Sequence, residues 1–426
     1  MKSSVIDSRL KSHTPRFYTL YDLHDVFSTI VLEVFVSDDD LDPTLLELPD
    51  VSDIPVDQTL QASQGLPDST ENGQTFEPNP GTVDPALLLS AETQERKEIS
   101  LHRTNLRKEL MSVFEDEDIM SKFLVVKMIN EHGNEEKGEG IGVVRDALSL
   151  FWQDAYISLM LGEDERVPCI RHDMNRNHWQ ACARIFLKGF VQEKYFPIQI
   201  SQVFIVSLVF GEDSISREMY FESFKRYVSR AEADIIDKVI SGKMSLEDDD
   251  FLDFLSAFDC KKAVNQANIC DVLVELAHKE LVQKPKYVAD CWEAILNSLK
   301  EFFPTVEALK QQFSSLQPTP AKVCRMLIAT PETPTEAESL AHLKRLVKGL
   351  DDSLLRKFLR LSTGADVVIG NGIQVTFTSI TGTARRPIFH TCGNVLELPT
   401  TYDDFCDFRQ EFTSILCQQD VEMDLV

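Results

Sequence analysis

The sequence predicts an α+β protein with two unequal lobes, a mainly helical one followed by a small α/β one, and a disordered acidic segment ahead of both. Three observations carry that expectation. Apolar residues recur at helical spacing over much of residues 98–328, whereas the last ninety or so residues mix one helical pattern with strand-like alternation. Residues 17–95 hold no Lys or Arg and 17 Asp or Glu, so this stretch alone supplies −17 of the net charge of −26. The 426 residues, 43% of them apolar, are enough to bury a sizeable core.

From the N-terminus, residues 1–36 form a short segment of unassigned role. Within and just beyond it, "STIVLEVFVSDDDLD" joins a β-branched run to an acidic one and reads as a lone strand, or as a peptide for docking on a sheet edge. Residues 37–97 read as a disordered acidic linker. Pro, Asp, Ser and Gln dominate there without periodicity, a composition that cannot offset its ordering entropy.

The opening "MKSSVIDSRLKSHTPR" has no apolar core of a secretory signal, and the longest apolar run, Val203 to Phe210, is interrupted by Ser207. That run is far shorter than the roughly 20 residues of a spanning helix. The expectation is an intracellular protein, cytoplasmic and/or nuclear, that is not a membrane protein and whose nine cysteines are free thiols. No Cys pair stands at C-x-x-C spacing, so neither a metal nor another cofactor is expected. Lys and Arg are not clustered, which disfavours a nucleic-acid partner.

The helical lobe is expected over 98–328. "ISLHRTNLRKELMSVF" sets Ile99, Leu106, Leu110 and Phe114 on one helical face, and "FLVVKMI" reads as the buried strand after it. "GEGIG", Gly138 to Gly142, lies between a strand and a helix, but Val143 stands where a dinucleotide fingerprint requires Gly, and Glu139 would repel a phosphate. "ATPETPTE", residues 329–336, carries two prolines and reads as a hinge.

The second lobe is expected over 337–426. Leu343, Leu346, Val347 and Leu350 have helical spacing, "GIQVTFTSI" alternates as a strand with Val375 and Phe377 on one face, and Thr363-Gly364 ends a helix. In "TTYDDFCDFRQEFTSIL", Thr400 or Thr401 caps a helix whose buried stripe is Phe405, Phe408, Phe412 and Ile415. Asp403 and Asp404 suit the dipole of its first turn. Cys406 and Cys417 border that stripe and read as packing residues.

Between strand and helix lies "FHTCGNVLELP", with Cys392 as a candidate nucleophile. A cysteine hydrolase requires a base placed on the sulfur, and no His follows Cys392. His390, two residues earlier on an expected strand, would share its face. An unassisted cysteine thiol, pKa ~8.5, is only a few per cent thiolate at pH 7. That is a poor start on an amide and enough for an activated thioester.

"FLRLSTGAD", "RRPIFHTCGNVLELPTTY" and the helix after it resemble, in order and spacing, the C-terminal lobe of HECT-type ubiquitin ligases, in a divergent form similar to the G2/M-phase-specific ligase-like branch. Upstream, "EGIGVVRDALSLFW" is similar to that family's D-x-G-G-x-x-R-E signature and "ARIFLKGF" to its G-R-x-x-G-x-A helix. The resemblance covers roughly residues 98–426 and implies a bilobal HECT-like fold. It further implies an E3 ubiquitin-protein transferase that takes ubiquitin from a charged E2 conjugating enzyme as a thioester on Cys392 and passes it to a lysine of a protein substrate. His390 and Thr391 would support the cysteine, and Glu422, Met423 and Asp424 would form the functional tail. The alternative is a HECT-like module, weakly active or inactive, that binds ubiquitin or a conjugating enzyme.

The sequence departs from the pattern at Glu139, Ile141 and Asp146, where Asp, Gly and Glu are usual, at one additional residue in "TTY", and at Met423 in place of Phe. The segment from Phe221 to Cys260 does not match the family's conjugating-enzyme docking subdomain, so no docking residues are assigned.

Overall fold

The computed structural model describes residues 94–138, 140–370 and 372–417. The segment 1–36, nearly all of the acidic linker, Glu139 and the tail residues Glu422, Met423 and Asp424 lie outside the described residues.

The fold is α+β. It opens on β1 (Arg96–His102), which pairs in parallel with β2 (Phe123–Ile129) from Arg96↔Phe123 to His102↔Ile129. The expected helix through Ile99 is therefore shorter: Ile99 and Leu101 point inward from a strand, and α1 covers only Leu106–Phe114. The two-residue alternation of Ile99 and Leu101 outweighs the helical spacing from Ile99 to Leu106. β1 also begins at Arg96, two residues ahead of the expected domain start. β2 is half-buried, with Leu124, Val126 and Met128 inward.

Then come α2 (Ile141–Ser158), the hairpin β3 (Met160–Gly162) and β4 (Arg166–Pro168), and α3 (Arg176–Glu193). α4 (Gln202–Phe210) contains the long apolar run, and it is buried on nearly all sides rather than long enough to span a bilayer. The series continues through α5 (Arg217–Tyr227), α6 (Arg230–Ile240), α7 (Asp249–Ala257), α8 (Ile269–His278), α9 (Lys286–Leu296), α10 (Leu299–Phe302) and α11 (Val306–Leu316). No helix among the described residues is long and apolar enough to cross a membrane.

These elements enclose a larger hydrophobic core around Trp152, Trp179, Phe186, Phe196 and Trp292. α3 carries two buried cations, both directed at orphan carbonyls. Arg184 donates to Phe114 O at the end of α1 (3.0 Å), and Lys188 donates to Met120 O (3.3 Å) and Lys122 O. Burial lowers the Lys188 ammonium to about 8.

A smaller core is built from α12 (Pro320–Met326), β5 (Leu327–Ile328), α13 (Pro334–Lys348), α14 (Asp352–Thr363), β6 (Ile373–Thr378), β7 (Ile388–His390), β8 (Val395–Pro399) and α15 (Phe405–Cys417). Its sheet has the order β5-β6-β8-β7, parallel except for the β7–β8 hairpin. Phe358, Val375, Leu396, Leu398, Phe408 and Phe412 fill the space between sheet and helices.

The junction between the cores falls earlier than the expected hinge. α11 ends in the larger core at Leu316, and α12, whose Val323 belongs to the smaller one, begins at Pro320, which leaves Gln317–Thr319 between the two helices. The segment 329–336 is flanked on both sides by the smaller core, with Leu327 before it and Leu343 after it. Its end forms the start of α13, where Thr333 and Glu336 make a reciprocal capping box. Of its two prolines, Pro334 opens α13 and Pro331 lies in the non-helical stretch just before it.

α15 differs from expectation in two details. Asp404, not Thr400 or Thr401, caps it, accepting from Asp407 N at 2.8 Å, while both threonines donate to carbonyls near the end of β6. Leu416 is the fully buried member at the end of the stripe. Cys406 and Cys417 are exposed, so they are not packing residues.

Candidate functional site

Cys392 sits in the four-residue turn that joins β7 to β8. The last ladder pair is His390↔Val395, Gly393 N donates to His390 O (3.2 Å), and Asn394 closes the turn in the left-handed region at φ 52°. An asparagine tolerates that conformation better than most residues. Gln374 N, at the start of β6, donates to Asn394 O (2.8 Å) and ties the turn to the sheet. Thr391 is buried beneath the turn and Cys392 is exposed at its tip.

The strand argument that would bring His390 beside Cys392 does not apply, because β7 ends at His390. The His390 ring instead meets Glu397 across the hairpin, Nε2 to Oε1 2.9 Å. Both project from the hairpin face that carries Val395. His390 thus supports the hairpin that presents Cys392, through a carboxylate partner that sequence reasoning missed.

Three sequence motifs converge under the turn. A Cβ on Gly142, in the first turn of α2, would lie 2.7 Å from the Thr391 carbonyl carbon and oxygen and 2.9 Å from Cys392 N. A Cβ on Gly364, the left-handed cap of α14 at φ 79°, would overlap Gly142 O. "EGIGVVRD", "STGAD" and "HTC" therefore meet backbone to backbone, and glycine is the residue that permits such an approach.

Polar contacts fix this meeting. Ser149 of α2 donates to Gly364 O (3.0 Å) and accepts from Asp366 N (3.2 Å), and buried Asp366 accepts from Tyr195 OH (2.8 Å). Asp146 is 0% exposed and receives Arg103 Nη1 (3.0 Å) from the larger core and Arg360 Nε (2.6 Å) from α14. Arg103 also grips Glu136, Nη2 to Oε2 2.7 Å. Burial opposes the Arg103 charge, yet Glu136 and Asp146 outweigh it and raise the guanidinium above its usual range. Asp146 drew notice because it lies in a stretch that resembles a known signature, whereas Arg103, Glu136 and Arg360 were not singled out, because their pairing with one another depends on contacts between separate elements.

Chemically, the site offers an exposed thiol on a short, well-tied turn. A cavity of about 570 Å³ between α5 and α11 includes none of the turn residues in its lining. The buried Glu165 carboxylate lies there with Ser223, Gln202 N (3.1 Å) and Arg226 (3.3 Å) as partners. Among the described residues no group of three or more His, Cys, Asp or Glu is placed to hold a metal ion. No family model and no curated protein sequence matches the chain.

Proposed function

We propose that the chain is a HECT-type E3 ubiquitin transferase with a bilobal HECT-like fold, acting inside the cell on protein substrates. The observation that supports the reading is the seat of Cys392: an exposed thiol on a hairpin turn, at the meeting point of the three stretches whose sequences resemble that family. An exposed tip suits a nucleophile that must receive an acyl group from one protein and deliver it to another.

In the first step the Cys392 thiolate attacks the carbonyl carbon of the ubiquitin thioester on a charged conjugating enzyme. The tetrahedral adduct collapses with loss of that enzyme's thiolate, so one thioester replaces another at nearly equal energy. In the second step a neutral substrate lysine amine attacks, the Cys392 thiolate leaves, and the nitrogen gives up a proton. Lysine, pKa ~10.4, is almost wholly protonated at pH 7, so a carboxylate that takes the proton assists. Glu422 and Asp424, on either side of Met423 as an apolar anchor, are assigned that part by resemblance alone.

The test is incubation with a panel of ubiquitin-charged conjugating enzymes followed by a non-reducing gel. A thiol-sensitive adduct is expected with the wild type and with Cys406→Ala and Cys417→Ala, and none with Cys392→Ala. An adduct that survives Cys392→Ala sinks the site. No adduct across the panel sinks the transferase reading.

A further inference from the structure

α2 and α14 cross through two adjacent rungs. Gly142 and Asp146 stand one helical turn apart on α2, and Arg360 and Gly364 stand one turn apart on α14. Gly142 meets Gly364 in backbone contact, and Asp146 meets Arg360 at 2.6 Å. The Cys392 turn rests on the first of these rungs, and the second lies one helical turn away.

We infer that Arg360 is a positioning residue for Cys392: through Asp146 it fixes the α2–α14 crossing, and through Gly142 that crossing fixes where the thiol is presented. Its chemical consequence rests on the transferase reading; its geometric consequence does not. Two further observations support the assignment. Arg103 already meets the Asp146 charge from within the larger core, so removal of Arg360 leaves no uncompensated buried carboxylate and the fold should survive. Moreover, the Arg360 side chain is 21% exposed, so it reaches the surface and can be changed without opening an enclosed cavity. Ser149 and Asp366 hold the chain just after Gly364 to the larger core, which leaves orientation, rather than attachment, to Arg360.

The experiment uses the full chain and two readouts. Ile141, 50% exposed and adjacent to Gly142, is replaced in an Ile141→Cys variant, and mild oxidation joins the new thiol to Cys392, with the bond located by mass spectrometry. Adding Arg360→Met is expected to slow that cross-link by roughly tenfold, because the turn now samples other positions. Arg360→Lys, which keeps a cation, is expected to recover much of the rate. In single-turnover loading from a charged conjugating enzyme, without Ile141→Cys, Arg360→Met is expected to lower the saturating rate by a similar factor. The concentration of conjugating enzyme at half-saturation and the melting temperature should stay near wild type.

An unchanged cross-linking rate in Arg360→Met overturns the inference, whatever loading does. So does a loss of loading that follows the melting temperature and is not recovered by Arg360→Lys, since this would be a folding effect. If the wild type forms no ubiquitin adduct, the transferase reading fails by itself, and the cross-link still decides whether Arg360 positions Cys392.

Discussion

His390 and Glu397 are diagonal neighbours on one face of the β7–β8 hairpin, Nε2 to Oε1 2.9 Å, and this pair braces the turn that carries Cys392. The pair is partly solvated, so its contribution to stability is small, on the order of 1 kcal/mol or less. Glu397→Gln and His390→Gln are therefore expected to behave alike, each lowering the melting temperature slightly and slowing ubiquitin loading only a few-fold. Single-turnover loading and thermal melts check this. A loss of several hundred-fold in His390→Gln alone would instead make the imidazole a base.

Gly142 tolerates no side chain without movement of the turn. Gly142→Ala places a Cβ against the Thr391 carbonyl, both partners being backbone that cannot rotate away. The expected cost is about 1–3 kcal/mol in urea unfolding, together with slower loading of Cys392. Gly364→Ala adds a strained left-handed φ of 79° to a contact with Gly142 and should cost at least as much. Wild-type stability in either variant would mean that the close approach is absent in solution.

Glu165 gives a pH signature. Burial raises its carboxyl pKa, and Arg226 and Ser223 offset this only in part. Because the folded value lies above the unfolded one, the native state holds the proton more tightly, and this favourable contribution is lost as pH rises through the folded pKa. Relative to Glu165→Gln, which does not titrate, wild-type stability should decline from pH ~4 upward, until the folded-state carboxyl is fully ionised. Denaturant midpoints of both proteins between pH 4 and 8 test the sign. A difference that is flat, or that rises with pH, would refute it.

The location of the junction makes a contrast between two segments. Replacing residues 329–333 with a stiffer sequence of equal length should leave loading within about twofold of wild type, since both flanks belong to one core. Gln317→Ala with Pro318→Ala favours continuation of α11 toward the smaller core and should slow a reaction that needs reorientation of the cores. The comparison uses the same loading assay beside a melting curve. The opposite ranking would return the hinge to 329–336.

Much of the fold was legible because its signals are local. The spacing in α13, the alternation in β6 and the phenylalanine stripe of α15 each follow from a period that neighbouring residues fix by themselves. Ile99 was misread because a few apolar residues fit both a helical and a strand period, and only pairing with β2 decides between them. The prolines of 329–336 signalled a break correctly, but the sequence does not say whether a break separates two cores or starts a helix within one.

The sequence by itself determined the candidate thiol, the strand-forming run after it and the resemblance that singles it out, because these rest on residue order and local period. What only the tertiary structure decided is what surrounds that thiol. His390 turns to Glu397 because the hairpin register sets them on one face, and Cys406 and Cys417 face solvent because the buried stripe of α15 lies elsewhere. Asp146, Arg103 and Arg360 meet although two of the three partners are more than two hundred residues apart. Such pairing depends on which helix faces pack, and packing is settled by the whole core, not by any stretch of chain.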